Sequence, residues 1–141
     1  MAFDISEIIT ISIAALAVIV SVLSWTRSRK SEQVRISKEI WDDIGPRIRA
    51  IHEWPFERGE PDFIKLKREM DFVKNDLGYF VFFVEKGEIR DRDILEYYND
   101  RMNDVDKNMQ RIMNNYLITK EWEEVKEILE FIKKYFKLTK R

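Results

Sequence analysis

The sequence predicts an all-α protein in which one N-terminal transmembrane helix continues into a small antiparallel cytoplasmic helical bundle. Three observations lead to this prediction: an uncharged apolar run near the N-terminus, apolar residues at helical spacing after it, and only four glycines and three prolines among 141 residues. We expect residues 1–30 to hold the N-terminal tail, the span and a basic flank. Residues 31–141 are then expected to form the cytoplasmic domain.

The predicted membrane span runs from Ile8 to Trp25, eighteen residues without a charge. A helix of this length covers about 27 Å, which is close to the hydrocarbon thickness of a bilayer. A cleaved signal peptide is a second interpretation, but it requires basic residues before the apolar core rather than after it. A buried core helix is a third, and it leaves the one-sided basic cluster unexplained. We therefore predict a true span.

The two flanks of this span differ in charge. Trp25 lies where an interfacial aromatic residue is expected, and Arg27, Arg29 and Lys30 follow it. The charged side chains before the span are both acidic, Asp4 and Glu7. The positive-inside rule then places the C-terminal flank in the cytoplasm and the N-terminus outside. Trp25 and the three basic residues are expected to contact membrane lipid at the interface of the cell membrane.

Small residues recur along one face of the predicted span at alternating spacings of four and three. Small faces let helix backbones approach closely in a bilayer, so this face predicts helix–helix packing, either with a second copy or with a partner's helix. A simpler interpretation is that alanine and serine are common in spans. The residues of this small-residue face are Thr10, Ala14, Ala17, Ser21, Ser24 and, beyond the span, Ser28 and Ser31.

The first helix is expected to continue past Lys30, because no glycine or proline occurs before Gly45. Pro46 removes a backbone donor and predicts a kink or a helix restart there. The segment 54–62 is rich in turn residues and predicts a connection. The part of the first helix that follows Lys30 carries an apolar face with helical spacing: Val34, Ile36, Ile40, Trp41, Ile44, Ile48 and Ile51.

The second and third helices are predicted from apolar faces that step by three and four. We expect helix two to begin near Pro61 and Asp62 and to stop at Gly87. Helix three is expected to begin at Asp91 or Asp93, and Asp93 has capping-box spacing to Glu96. The two apolar faces are Leu66, Met70, Val73, Leu77, Phe80 and Val84, then Leu95, Tyr98, Met102, Val105, Met109, Ile112 and Tyr116.

A fourth helix is predicted after Thr119, with glutamates in its first turn and lysines in its last, the charge order that the helix dipole favours. Because such faces are stable only when buried, the four segments predict a small antiparallel bundle. The same spacing also permits a coiled-coil dimer. The inner face predicted for the fourth helix is Trp122, Val125, Leu129, Ile132 and Phe136.

Catalytic, cofactor and metal sites are not expected. The chain has no cysteine and one histidine, which excludes thiolate and multi-histidine metal centres. His52 lacks a recognisable partner and is interpreted as a surface or cap residue. Asp100 and Asp104 share a helix face, as a cation site requires, but we interpret them as solvated helix surface. A net charge of −1 disfavours nucleic-acid binding.

Two segments, SEQVRISKEIWDDI at 31–44 and DLGYFVFFVEKGEIRDRDILEYYNDRM at 76–102, carry a family resemblance. With the N-terminal span before them and a tryptophan-containing last helix after them, residues 31–136 resemble a prokaryotic family of membrane-anchored helical proteins of unknown function. The resemblance implies the same architecture. It implies no catalytic or binding residue, because none is established for such a family.

The functional expectation is a non-enzymatic single-pass membrane protein whose bundle mediates protein–protein interaction or self-association. Phe82, Phe83 and Tyr97 lie partly off the apolar faces, so they either widen the core or form an exposed patch for a partner. One alternative is an accessory subunit of a larger membrane complex, held by the small-residue face. Another is a helical small-molecule sensor or enzyme with a pocket between helices two and three.

Overall fold

The computed structural model describes residues 4–54, 63–116 and 123–140, and these residues form four α-helices. No strand occurs within the described ranges. The predicted all-α class and the order of the four helices are confirmed. The helices are α1 (Ile5–His52), α2 (Phe63–Glu85), α3 (Arg92–Tyr116) and α4 (Glu123–Thr139).

Several sequence expectations fall outside the described residues, namely the turn-rich connection at 55–62, the start of helix two, and the beginning of the fourth helix. The side chain of Tyr116, the last residue predicted on the α3 face, also lies outside the described part of the chain. The residues concerned are Pro61, Asp62, Tyr116, Thr119 and Trp122.

Contacts within the chain divide it into two compact units, Met1–Glu32 and Gln33–Arg141. The first unit contains the apolar part of α1, where an 18-residue window has a mean hydropathy of 2.5 and none of it is buried. The helix is therefore long and apolar enough to cross a membrane. At its start, Glu7 accepts a hydrogen bond from the backbone amide of Asp4 at 3.1 Å, which satisfies one of the free N–H groups of the first turn.

Hydroxyl groups of the first unit bond back to their own helix. Four of them donate to the carbonyl oxygen four residues earlier, so these polar atoms are satisfied without a partner from outside. This pattern lowers the cost of placing serine and threonine in apolar surroundings. Four such bonds, all 2.8 Å long, run from Thr10 to Ser6, Ser12 to Ile8, Ser21 to Ala17 and Thr26 to Val22.

Of the kink or helix restart predicted at Gly45-Pro46, the restart does not occur, because α1 continues from Ile5 to His52 with Pro46 inside it. Proline has no N–H, so the carbonyl group of Asp42 lacks its usual donor four residues later. Burial of Ile44 and Ile51 on either side of the proline stabilises the helix through this gap.

The core of the second unit is built from the apolar faces of all four helices. In α2 and α3 most of the predicted residues are buried, with Val84 and Leu95 half-buried at the ends, whereas Val81 and Ile94 are buried without having been predicted. In α1, three predicted residues are buried, whereas Val34 is exposed. The members of these faces that are at most 6% exposed are Trp41, Ile44, Ile51, Leu66, Met70, Val73, Leu77, Phe80, Tyr98, Met102, Val105, Met109 and Ile112.

The inner face of α4 differs from the prediction. Ile128 and Tyr135 are buried beside Val125 and Ile132, while the predicted Leu129 and Phe136 are only half-buried. The reason lies in another helix: the Tyr135 hydroxyl donates a 2.6 Å hydrogen bond to the carbonyl oxygen of Leu95. A buried tyrosine is stable when its hydroxyl has such an acceptor.

One aromatic ring from each helix meets at the centre of this core. Trp41 of α1 stacks on Tyr98 of α3 at 5.2 Å between ring centroids, and both approach the edge of Phe80 of α2. Tyr135 of α4 lies 5.8 Å from Phe80. Burial raises the pKa of the Tyr135 hydroxyl. We call these four residues the aromatic cluster.

The α2–α3 connection begins at the predicted stop residue. Gly87 has a φ of 75°, in the left-handed region that favours glycine. The Gly87 amide bonds to the carbonyl of Val84 at 3.2 Å and the Glu88 amide to that of Phe83 at 2.9 Å, so two carbonyl groups at the end of α2 are satisfied.

The start of α3 is capped by Asp91, the first of the two predicted candidates. Its carboxylate accepts hydrogen bonds from the amides of Asp93 at 3.0 Å and Ile94 at 3.3 Å. The Asp93–Glu96 capping box is wrong, because Asp93 already lies in the first turn. Gln33 of α1 fixes the same connection: its side-chain oxygen accepts hydrogen bonds from the amides of Arg90 and Asp91, both 2.8 Å.

Candidate functional site

A groove of about 700 Å³ lies between α1 and α3 within the second unit, a volume in the range of small-molecule sites. Apolar residues of both helices line it, among them Trp41, Ile44 and Val105. Gly45 leaves room on the α1 side, because a Cβ atom added there would have no heavy atom within 4 Å. We call this the α1–α3 groove.

Charged residues surround this apolar surface. Four basic side chains and two carboxylates line the groove, so positive charge is in excess. Arginine side chains present several N–H donors in a planar fork, which suits carboxylate and phosphate groups. The charged lining residues are Arg49, Arg101, Lys107 and Arg111 with Asp42 and Asp104.

His52 has a partner in α3 that its sequence neighbours do not reveal. Its Nδ1 lies 3.3 Å from Oδ1 of Asn108, a residue 56 positions away and only 6% exposed. Because the Asn108 Nδ2 donates to the carbonyl oxygen of Asp104 at 2.8 Å, its Oδ1 faces the ring as an acceptor. Nδ1 of His52 therefore donates to this oxygen. Arg111 donates to the His52 carbonyl oxygen.

The carboxylate pair considered in the sequence does not act as a unit. Asp104 lines the α1–α3 groove, whereas Asp100 is exposed and is not part of the lining. In the part of the chain that the structure describes, no three histidine or carboxylate side chains lie close enough together to hold a metal ion.

A second, shallower groove lies between α2 and α4 and is lined by aromatic residues. Tyr79 is 63% exposed and Phe82 is 49% exposed, and Phe131 of α4 lies beside them. The helices approach closely here, since a Cβ atom on Gly78 would lie 3.2 Å from the Phe131 ring. We call the surface formed by Gly78, Tyr79, Phe82 and Phe131 the aromatic groove.

The three aromatic residues that lay off the predicted faces have separate environments. Phe83 is half-buried against the core, which it widens, whereas Phe82 belongs to the aromatic groove. Tyr97 is 59% exposed on α3, where the Arg101 side chain donates a 2.9 Å hydrogen bond to its hydroxyl. Phe83 therefore widens the core, whereas Phe82 and Tyr97 are exposed.

The carboxylate of Asp76 lies where α1 and α2 meet. The pKa of Asp76 is raised, mainly by partial burial and then by the Asp43 carboxylate, while Arg47 lowers it. Arg47 is engaged by other groups of α2: it forms a 3.0 Å ion pair with Glu69, and its guanidinium lies 3.9 Å from the centroid of the Phe72 ring. The negative charge of Asp76 is thus only weakly balanced by the positive charge of Arg47.

In the first unit, the residues predicted at the membrane interface and on the small-residue face are exposed within the structure. The Arg29 guanidinium lies 5.0 Å from the centroid of the Trp25 ring, so these two interfacial candidates contact each other. Such a pair presents an aromatic ring and a cation together, as membrane-interface sites do.

Comparisons with models of protein families, with curated proteins and with solved structures found no match for this chain. The resemblance to a membrane-anchored helical family stays a prediction. The fold defines the class as an all-helical protein with one long apolar N-terminal helix.

Proposed function

We propose that this chain is a non-enzymatic single-pass protein of the cell membrane whose cytoplasmic helical bundle binds another protein or a second copy of itself. The apolar part of α1 supports the anchor, because none of its 18-residue window is buried within the structure. Apolar area of this extent is stable only when lipid or protein covers it.

The flanking charges support the orientation. Arg27, Arg29 and Lys30 follow the span, and the positive-inside rule puts this flank in the cytoplasm. The proposal therefore places the N-terminus outside, residues 31–141 in the cytoplasm and Trp25 at the lipid interface.

Contacts of the second unit support an antiparallel bundle. Arg47, late in α1, pairs with Glu69, early in α2, whereas Gln33 in α1 bonds to residues beyond the end of α2. Opposite directions of α1 and α2 explain both contacts. Tyr135, late in α4, likewise contacts Leu95, early in α3.

The aromatic groove is the observation that carries the interaction function. Exposed tyrosine and phenylalanine side chains beside a glycine form an aromatic surface next to the Lys74–Glu127 ion pair, and aromatic residues dominate the binding energy of many protein interfaces. The α1–α3 groove supports a binding role as well, because its lining combines apolar residues with several basic side chains.

A photo-crosslinking amino acid at position 79 tests the interaction. In native membranes, Tyr79→p-benzoylphenylalanine is expected to crosslink a distinct protein or a second copy, and mass spectrometry separates these results. The same replacement at Tyr97, a comparably exposed tyrosine of α3, is the matched control. Crosslinking at 97 but not at 79 would contradict the aromatic groove as the interface.

Cysteine labelling tests the anchor and its orientation, because the natural chain has no cysteine. With a membrane-impermeant maleimide on intact cells, Phe3→Cys is expected to label and Lys140→Cys to label only after lysis. The protein is also expected to stay in the membrane fraction after alkaline carbonate washing. The reverse labelling pattern, or release by carbonate, would exclude the proposed topology.

The small-residue face favours a second candidate, an accessory subunit of a larger membrane complex. The hydroxyl groups of Thr10 and Ser21 are satisfied within α1, so this face offers close backbone approach without unmet donors. Leucines at Ala17 and Ser21 are then expected to release the protein from its complex. Unchanged co-purification would argue against this role.

A further inference from the structure

We infer that the α1–α3 groove binds a small molecule that combines an apolar body with a carboxylate or phosphate group. This site goes beyond the proposed interaction function, since it shares no lining residue with the aromatic groove. The inference rests on the helix composition at Gly45-Pro46, on the held His52 side chain and on the charge of the rim.

The glycine and proline in the middle of α1 are not required by the fold. Gly45 has no positive φ, and no neighbouring atom lies where its Cβ would be. Neither backbone conformation nor packing therefore explains a residue that weakens helices, and the proline beside it weakens α1 further. Both residues line the groove. A ligand that occupies this space and approaches the backbone accounts for both.

The polar groups at the His52 end of the groove are held in place by hydrogen bonds. Asn108 is buried, and both ends of its amide are engaged, one by the Asp104 carbonyl and one by the His52 ring. Arg111 holds the backbone of the same histidine. Fixed groups of this kind orient a ligand, because little side-chain entropy remains to be lost on binding.

The charge and the apolar floor define the chemistry of the ligand. The excess of basic side chains at the rim, among them Arg49 and Lys107, favours an anion, and the guanidinium groups favour the flat carboxylate or the phosphate oxygens. Pro46 and Ile48, the more accessible apolar residues of the lining, favour an apolar body. Asp42 and Asp104 at the same rim limit the net positive charge and so favour one anionic group rather than a polyanion.

Calorimetry on the full chain in phosphatidylcholine nanodiscs tests this chemistry. The probes are 1-naphthyl phosphate and 1-naphthoate, with 1-naphthylmethylammonium as the cation of similar shape. We expect at least one anionic probe to bind at micromolar to millimolar concentration, at least tenfold more tightly than the cation. Absence of binding by both anions at millimolar concentration, or equal binding of the cation, would overturn the inference.

Variants assign any binding to the groove. Gly45→Leu fills the open space and is expected to weaken binding at least tenfold, whereas Ala50→Leu, on an exposed part of α1 outside the lining, leaves it unchanged. Arg49→Gln with Lys107→Gln is expected to weaken binding of the anions by tenfold or more, and Lys133→Gln of α4 is the charge control. Circular dichroism verifies the helix content of each variant. Full binding by folded Gly45→Leu would contradict the site.

A final arm separates the two sources of the anionic group. Phosphatidylglycerol added to the nanodiscs is expected to lower the apparent affinity for 1-naphthyl phosphate at least threefold if the natural ligand is a lipid headgroup, and to leave it unchanged if the ligand is a soluble molecule. The Gly45→Leu variant removes binding in both cases, so the inference itself is tested independently of its source.

Discussion

The side-chain oxygen of Gln33 accepts hydrogen bonds from two backbone amides, those of Arg90 and Asp91, and the residue itself is buried. One side chain thereby satisfies N–H groups at the α2–α3 connection that have no partner within a helix. Backbone amides cut off from water are costly when unpaired, so this contact contributes more than its single residue suggests.

Replacing Gln33 with leucine is expected to lower the free energy of unfolding by about 1–3 kcal/mol, because two amides lose their acceptor. Hydrogen exchange at the Arg90 and Asp91 amides, measured by NMR, is expected to accelerate. Gln33→Glu keeps an acceptor oxygen and is the matched control, with a smaller loss. Unchanged exchange in Gln33→Leu would show that water replaces the side chain without cost.

Asp76 gives a pH-dependent prediction. Its pKa is raised in the folded protein, so its ionised form destabilises the fold above that pKa, and the penalty disappears as the pH falls toward the unfolded value of 3.8. Asp76→Asn is therefore expected to stabilise the protein at pH 7 and to have no effect at pH 3.5.

The expected gain for Asp76→Asn is below about 1 kcal/mol, because solvent screens this partly exposed group. Denaturant unfolding at the two pH values measures it, and Asp100→Asn, which removes an exposed carboxylate of α3, is the charge control. A gain that persists at pH 3.5 would point to packing rather than ionisation.

At the scale of the helices, two glycines are expected to respond in opposite directions to the same change. Gly87→Ala forces an L-residue into a left-handed conformation at the end of α2 and is expected to cost about 1–2 kcal/mol. Gly45→Ala adds a methyl group in open space within α1 and is expected to gain up to about 1 kcal/mol. Thermal unfolding under identical conditions compares them, and each serves as the control of the other.

Local features of the helices could be predicted from the sequence. The buried faces of α2 and α3 follow from spacing alone, since a helix that packs on one side buries every third or fourth residue. The end of α2 at Gly87 follows from the conformational freedom of glycine. In both cases the information lies within a few residues of the feature.

Features that depend on distant residues could not be predicted. The inner face of α4 was misplaced because burial of Tyr135 depends on the Leu95 carbonyl in α3. The His52–Asn108 contact spans 56 positions, so neither residue alone indicates the α1–α3 groove. The expectation of a helix restart at Pro46 was wrong for the same reason, since packing of α1 against other helices outweighs the local loss of a hydrogen bond.

At the scale of the second unit, the aromatic cluster joins all four helices through one ring each. Phe80→Ala removes the ring that contacts the other three and is expected to cost about 3–5 kcal/mol. Near-ultraviolet circular dichroism is expected to weaken as the packing of the remaining rings loosens.

Phe82→Ala is the matched control for that change, because it removes the same side chain two positions away in the half-exposed aromatic groove. Its expected cost is below about 1 kcal/mol. Similar losses for the two variants would mean that the central rings do not couple the helices.

Trp41 belongs both to the aromatic cluster and to the lining of the α1–α3 groove, and its indole Nε1 has no hydrogen-bond partner. An indole in such dry surroundings emits fluorescence at shorter wavelength than one in water. In a variant that keeps Trp41 as its sole tryptophan, a molecule entering the groove is expected to change that emission directly. The fluorescence of Trp41 in such a variant thus reports whether the α1–α3 groove is occupied, because this residue belongs to both the core and the lining.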